Sequence, residues 1–265
     1  MKITVLGSGT SSGVPTVGCT CPTCTSEDPR DNRLRTSIWI QSRGTSVVID
    51  TSNDFRAQCL RAGIRSLDAV VYTHHHFDHI AGFDDIRAFN FIQRQPMQIY
   101  GMPETLGTIR RIFDYAFRQW GPRESSAPVV EDHEILDEPF EIGHVALQPL
   151  ELRHGGMRVN GYRVGSFAYC TDCNAISERG RELLQGIDVL ILDGLRPTPH
   201  PTHFTIDEAV ETAREIGARM TYLTHIAHDL KHEEASRSLP PGVELAYDGL
   251  EIDLPDPSPS EATPR

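Results

Sequence analysis

The chain has 265 residues, with 25 Lys+Arg against 37 Asp+Glu and a formal charge of −12. That length supports one large α/β domain with a substantial core, and the negative field disfavours long polyanions held through many phosphates. No apolar run approaches the ~18 residues of a membrane-spanning helix. A single domain over residues 1–254 is therefore expected, followed by a disordered tail at 255–265, rich in Pro and Ser. The opening Met1-Lys2-Ile3-Thr4-Val5-Leu6 is too short for a signal-peptide core, so a cytoplasmic protein is expected.

In chain order, short apolar strands are predicted at 2–6, 37–41, 46–50, 68–73, 144–150, 161–170, 187–193 and 220–224. Amphipathic helices are predicted at 54–62, 79–93, 103–118, 177–185 and 205–217. Paired strands followed by a later strand-helix-strand return fit an αββα sandwich, two mixed β-sheets flanked by helices. Polar residues with ligand chemistry fall at strand ends: Asp50, His74 to His79, His154, Asp172, Asp193 and His225. Such residues gathered on strand-end loops are the sequence signature of an active edge.

The first chemical motif follows the glycine turn Gly7-Ser8-Gly9-Thr10. Cys19-Thr20-Cys21-Pro22-Thr23-Cys24 presents three thiolates in one tight loop, and a structural zinc ion needs a fourth ligand from elsewhere. His228, three residues after His225, is the candidate. The second motif, Thr73-His74-His75-His76-Phe77-Asp78-His79, stands between a strand and a helix. Its mixture of imidazoles and a carboxylate suits a hydrolytic metal site with positions open to water. His75, the spacer, is read as structural. Cys170 and Cys173, flanking Asp172, are read as small buried side chains, and Arg87 as part of a solvated or salt-bridged helix face.

His-x-His-x-Asp-His, then His154, Asp172 and His225, resembles the ligand pattern of the metallo-β-lactamase superfamily over nearly the whole chain. The resemblance implies two divalent ions, zinc or manganese or iron. His74, His76 and His154 would bind one, Asp78, His79 and His225 the other, with Asp172 bridging and a shared hydroxide as the nucleophile. The Cys19-Cys21-Cys24 loop narrows the likeness to the phosphoribosyl cyclic phosphodiesterase branch, the PhnP type, which carries a structural zinc completed here by His228.

By its position before the helix at 205–217, His203 resembles that family's general acid, and Asp78 would also orient the attacking hydroxide. The expected reaction is hydrolysis of a small cyclic phosphodiester, a phosphoribosyl cyclic phosphate or a cyclic nucleotide. The resemblance also implies a homodimer. Three alternatives stay open: a nuclease of the transfer-RNA 3′-processing kind, a thioester or β-lactam hydrolase on fold grounds alone, and a non-hydrolytic cofactor-biosynthesis protein of the pyrroloquinoline quinone type.

Overall fold

The computed structural model describes residues 1–117 and 127–257. A first sheet contains β1 (Lys2–Gly7), β2 (Ser37–Ser42), β3 (Thr45–Ile49), β4 (Ala69–Val71), β5 (Met97–Gly101) and β6 (Val130–Glu134). The second contains β7 (Phe140–Ile142), β8 (Val145–His154), β9 (Met157–Val164), β10 (Phe167–Cys170), β11 (Ala175–Ile176), β12 (Val189–Asp193), β13 (Met220–Thr224) and β14 (Val243–Leu245). A last strand, β15 (Glu251–Asp253), returns to pair with β1 in the first sheet. The two sheets repeat one plan. Antiparallel β1-β2-β3 continues into parallel β3-β4-β5-β6, and antiparallel β8-β9-β10 continues into parallel β10-β12-β13-β14.

The central parallel strands β4, β10 and β12 are buried along their whole length because both faces are covered, whereas β6, at the edge, is polar. Between the sheets, Ile3, Val5, Ile38, Ile40, Val47 and Ile49 meet Leu147, Tyr162, Val164, Phe167, Tyr169 and Ile191 in one core. The helices are α1 (Phe55–Ala62), α2 (Phe77–Ile80), α3 (Arg87–Gln93), α4 (Pro103–Ile112), α5 (Asp114–Phe117), α6 (Glu178–Leu183), α7 (Ile206–Ile216) and α8 (His232–Ser236). Phe55, Phe89, Leu106 and Ile109 cover the outer face of the first sheet, and Ala209 and Ile216 that of the second. Three apolar layers between four layers of structure give the expected αββα sandwich.

Several elements differ from the expectation. The helix predicted at 79–93 is broken into α2, a 3₁₀ segment Ala81–Ile86 and α3. Gly82 causes the break: its N–H donates to the Thr51 carbonyl, and a Cβ there would lie 2.2 Å from the Ser52 carbonyl oxygen. The strand predicted at 161–170 is a hairpin, β9 and β10, turned at Gly165 in the left-handed region at φ 57°. The helix predicted at 103–118 divides into α4 and α5, and its last residue lies outside the described residues. Most of the expected tail, 258–265, also lies outside them. The tail's first residues are anchored, since Asp256 accepts from Ser42 at 2.7 Å and pairs with the Met1 ammonium at 2.9 Å.

One buried ion pair fixes the loop after β13. Arg33 is fully buried; its guanidinium pairs with Asp31 at 2.9 Å and donates to the carbonyls of Ala227 at 3.0 Å and Leu230 at 2.8 Å. The backbone between those carbonyls carries His228, and His225 precedes it. Removing one member of a buried, hydrogen-bonded pair leaves the other charge without compensation. Arg33→Ala is expected to cost about 3–5 kcal/mol in urea unfolding; a loss below about 1 kcal/mol would contradict this role.

Candidate metal centre

The predicted active-site ligands converge where strands of both sheets end. Thr73 to His79 follow β4, His154 ends β8, Asp172 follows β10, and His225 follows β13. Carboxyl ends of parallel strands are where α/β sheets bind ligands. Five non-glycine residues among those described have positive φ, and three are here: Asp50 at 66°, Asp172 at 54° and His225 at 61°. Each turns the chain sharply at a strand end, and such strain concentrates at functional sites.

Imidazole rings of His74, His76 and His154 form one triangle, with centroids 4.6, 5.1 and 5.8 Å apart. Asp78, His79, Asp172 and His225 form a second group. His79 Nε2 lies 3.2 Å from Asp172 Oδ2 and 3.4 Å from Asp78 Oδ2, and His225 Nε2 lies 3.2 Å from Asp172 Oδ1. Ligands of one tetrahedral ion at 2.0–2.1 Å stand about 3.3 Å apart, which these separations match. Asp172 also has a ligand atom within 4.8 Å of His154, so it is the carboxylate shared by the two groups.

Hydrogen bonds fix which ring nitrogen faces inward. The Thr73 hydroxyl donates to Asp50 at 2.8 Å, so it accepts from His74 Nδ1 at 3.0 Å. His79 Nδ1 donates to Asp50 at 2.7 Å, and His154 Nδ1 to the Thr202 carbonyl at 3.0 Å. Their Nε2 lone pairs are thereby left for the cleft. The Nε2 atoms of His74, His79 and His225 are buried without a hydrogen-bond partner among the described residues. Buried polar atoms of native proteins are almost always paired, and orphaned imidazole nitrogens beside carboxylates fit divalent cations.

The electrostatics follow from crowding. Burial pushes His74 well below the usual imidazole range, and His79 beside it adds to the effect; burial takes His154 to about 4. These rings are neutral, the form that binds metal. Burial opposes charge on His79 too, but Asp172, Asp78 and Asp50 surround it and hold it well above that range. Burial likewise opposes ionisation of Asp78, yet His79 and His225 keep it below the usual carboxylate range.

His203 is buried against this cluster, 4.6 Å from the His154 ring and stacked on His225 at 4.5 Å. Asp193, at the end of β12, accepts from His203 Nδ1 at 2.8 Å. The helix after it starts as expected, since Thr205 and Glu208 form a reciprocal capping box at the start of α7. His75 lies outside both ligand groups, Arg87 pairs with Asp84 at 3.2 Å, and Cys170 and Cys173 are fully buried.

The cysteine loop lies against His228, the candidate fourth ligand. Its Nδ1 stands 3.3, 3.4 and 3.6 Å from the sulfurs of Cys19, Cys21 and Cys24. Zinc–sulfur and zinc–nitrogen bonds of about 2.3 and 2.0–2.1 Å at tetrahedral angles give sulfur-to-nitrogen separations of about 3.5 Å. Backbone N–H groups of Thr16 and Cys24 point at the sulfurs of Cys24 and Cys21. Hydrogen bonding from Cys24 is the largest cause that brings the Cys21 thiol down to about 6. The donor set fits one zinc ion.

Sequence reasoning placed Asp50 and Asp193 at strand ends but gave them no part in the site. Each is the carboxylate behind an inward imidazole, His79 or His203. The available signal was an acidic residue ending an apolar, fully buried strand. The Thr202 carbonyl, a backbone group, left no signal.

The description "Beta-lactamase superfamily domain" matches residues 45–226. A crystal structure described as a new diphosphatase from the PhnP family superposes with a TM-score of 0.90 at 45% identity, covering 96% of this chain and 98% of that one. An octanoyltransferase of Porphyromonas gingivalis is 40% identical over 255 residues; the match covers 95% of this chain and 51% of that protein, so the chain spans about half its length. Coenzyme PQQ synthesis protein B of Methylobacterium radiotolerans is 26% identical over 231 residues, 73% of each chain. No helix among the described residues is long and apolar enough to cross a membrane. Fold, ligand pattern and likeness agree: the chain belongs to the metallo-β-lactamase superfamily, in its PhnP-like branch.

Proposed function

We propose that the protein is a binuclear metal-dependent phosphodiesterase acting on small cyclic phosphodiesters. The observation that carries this reading is the 2.8 Å pair of Asp193 and His203 set against the ligand cluster. Bound divalent ions would supply Lewis-acid polarisation of the phosphoryl group and activation of water. His74, His76 and His154 are assigned to one ion, Asp78, His79 and His225 to the other, and Asp172 to both. Asp50 holds His79 and Thr73 holds His74 in the tautomers that binding needs. Asp78 accepts from the attacking water and turns its lone pair toward phosphorus.

His203 protonates the departing oxygen. Asp193 fixes the proton on Nδ1 and stabilises the charged ring, so the second proton sits on Nε2. An alkoxide is a poor leaving group at neutral pH, and that is where a buried acid earns its place in the reaction. Octanoyl transfer, by contrast, names a protein about twice as long, of which this chain matches half. Clustered imidazoles and carboxylates suit hydrolysis. PQQ-type cofactor assembly is less well supported here, because the His74 to His79 motif is complete.

A second reading, hydrolysis of a diphosphate, is favoured by the name of the 45%-identical neighbour. The leaving-group test separates the two. A phosphate monoester, with its second pKa near about 6, leaves with little help, whereas a sugar alkoxide does not. His203→Ala is expected to slow a nucleoside 2′,3′-cyclic phosphate by about 10² to 10⁴ fold and bis(p-nitrophenyl) phosphate far less. Equal rates for wild type and variant on the cyclic ester would remove His203 from the mechanism. A wild type that turns over ADP but neither diester would favour the diphosphatase.

The cysteine loop is assigned a structural zinc. Metal analysis of the purified chain should return up to three ions, two from the cleft and one from this loop. Cys21→Ser is expected to lose one zinc per chain and to melt at lower temperature, because structural zinc binding is linked to folding. Unchanged zinc content and melting temperature would leave the loop without a metal role.

A further inference from the structure

The segment from Gly194 to Thr205 joins β12 to α7 and carries Arg196, His200 and His203 without a single acidic residue, in a chain of net charge −12. It is packed into the site. His154 donates to its Thr202 carbonyl, Asn174 donates to its Pro201 carbonyl at 3.0 Å, and Ala227 donates to its Leu195 carbonyl at 2.9 Å. His200 lies 5.0 Å from His203, ring to ring. The Thr202 amide points at His200 Nδ1 at 3.4 Å, with the Thr202 hydroxyl at 3.2 Å, so Nδ1 accepts and Nε2 carries the proton. His200 is thereby a donor next to the proposed acid.

Arg196 is held by its own loop. Its Nε donates to the Thr198 carbonyl at 3.3 Å and its Nη2 to the Pro199 carbonyl at 3.2 Å, immediately before His200. Among the described residues it forms no ion pair with a carboxylate, unlike Arg153 and Arg158, which pair with Glu151 and Asp137. Carbonyls on one edge of the guanidinium fix its plane without neutralising it, and the Nη1 end remains available. A planar, half-buried guanidinium with a free end matches the oxygens of a phosphate.

We propose that Arg196 and His200 are specificity-determining residues, forming an anion subsite for a phosphate carried by the leaving half of the substrate. The placement follows from contacts. His203 touches the His154 and His225 rings at 4.6 and 4.5 Å and the His200 ring at 5.0 Å, and Arg196 is tied to the carbonyl immediately before His200, so both donors belong to the loop that borders the proposed acid. The proposal rests on the reading of His203 as the proton donor. The phosphate has two sources with the same chemistry: the second phosphorus of a diphosphate, or a separate phosphate ester on the leaving alcohol of a diester.

The test uses the metal-loaded full chain and first reads binding without turnover. Methylenediphosphonate, which is not hydrolysed, and methylphosphonate are titrated into wild type, Arg196→Ala, Arg196→Lys and His200→Gln. The second phosphonate is expected to tighten binding to wild type, and Arg196→Ala to weaken methylenediphosphonate by about 10- to 100-fold, the size of a lost charge-assisted hydrogen bond. Arg196→Lys should recover part of the loss. The same Kd in wild type and Arg196→Ala overturns the subsite, whether or not the enzyme turns over any substrate.

Kinetics then identify the source of the phosphate. Selectivity, as the ratio of kcat/KM to that for bis(p-nitrophenyl) phosphate, is measured for ADP and for a nucleoside 2′,3′-cyclic phosphate with and without a 5′-phosphate. A fall in Arg196→Ala for ADP assigns the subsite to the diphosphate, and a fall for the 5′-phosphorylated cyclic ester assigns it to a separate ester. Unchanged selectivity for both overturns the proposal. A wild type inactive on every substrate defeats the phosphodiesterase reading, while the titration still decides the subsite.

Discussion

Four carboxylates and six imidazoles, all but Asp78 and His76 buried, occupy one cleft, and the fold depends on how their charges are paired. A carboxylate removed from water is costly unless hydrogen bonds or opposite charge compensate it. Here each acid faces a ring: Asp50 faces His79, Asp172 lies between His79 and His225, Asp78 lies beside His79, and Asp193 faces His203. Burial pushes Asp50 and Asp193 upward, and their imidazole partners oppose it. The alternation of acid and base lets so polar a group sit on top of an apolar sandwich.

That sandwich supplies the precision. Strand ends are fixed by the apolar layers on both faces of each sheet; His154 ends its strand, Asp172 and His225 follow theirs by two and one residues, and His74 to His79 occupy the turn from β4 into α2. A ligand on a short, strained turn has few alternative positions, which is what a preorganised site requires. His225 is restrained from a second direction. The backbone that follows it reaches Arg33 through Ala227 and Leu230, and reaches the cysteine loop through His228. Three otherwise separate features, a strand-end histidine, a buried ion pair and the cysteine loop, thus bear on six residues of chain.

The legible part of the molecule was the part encoded in local pattern. Fully apolar runs such as Val189 to Leu192 identify buried parallel strands, and Thr205 with Glu208 identifies a helix start. The candidate ligands could be read because each ends or follows a strand-forming segment. β14 and β15 were missed because three-residue strands pair at sheet edges, where partners rather than their own sequence define them. The break in the helix near Gly82 arises from a carbonyl contributed by Ser52, thirty positions away in sequence terms and invisible to periodicity. For the same reason Asp50 and Asp193 read only as polar strand ends. Their roles lie in the ring that faces them, and no spacing rule connects Asp50 to His79.

The neighbours of His203 differ in charge. Asp78 and Asp172, acceptors suited to water and to cations, belong to the cluster of His79 and His225, and the His225 ring stacks on His203. His200 and Arg196, donors suited to an anion, belong to a segment with no acid from Gly194 to Thr205. On the proposed reading, a substrate with a phosphoryl group at one end and a negative charge at the other would be held in one orientation, because reversal would bring the anion against Asp78 and Asp172. In a chain of charge −12 a general attraction for anions is absent, so recognition of an anionic substrate has to be local, and the acid-free loop is the local element that borders the proposed proton donor.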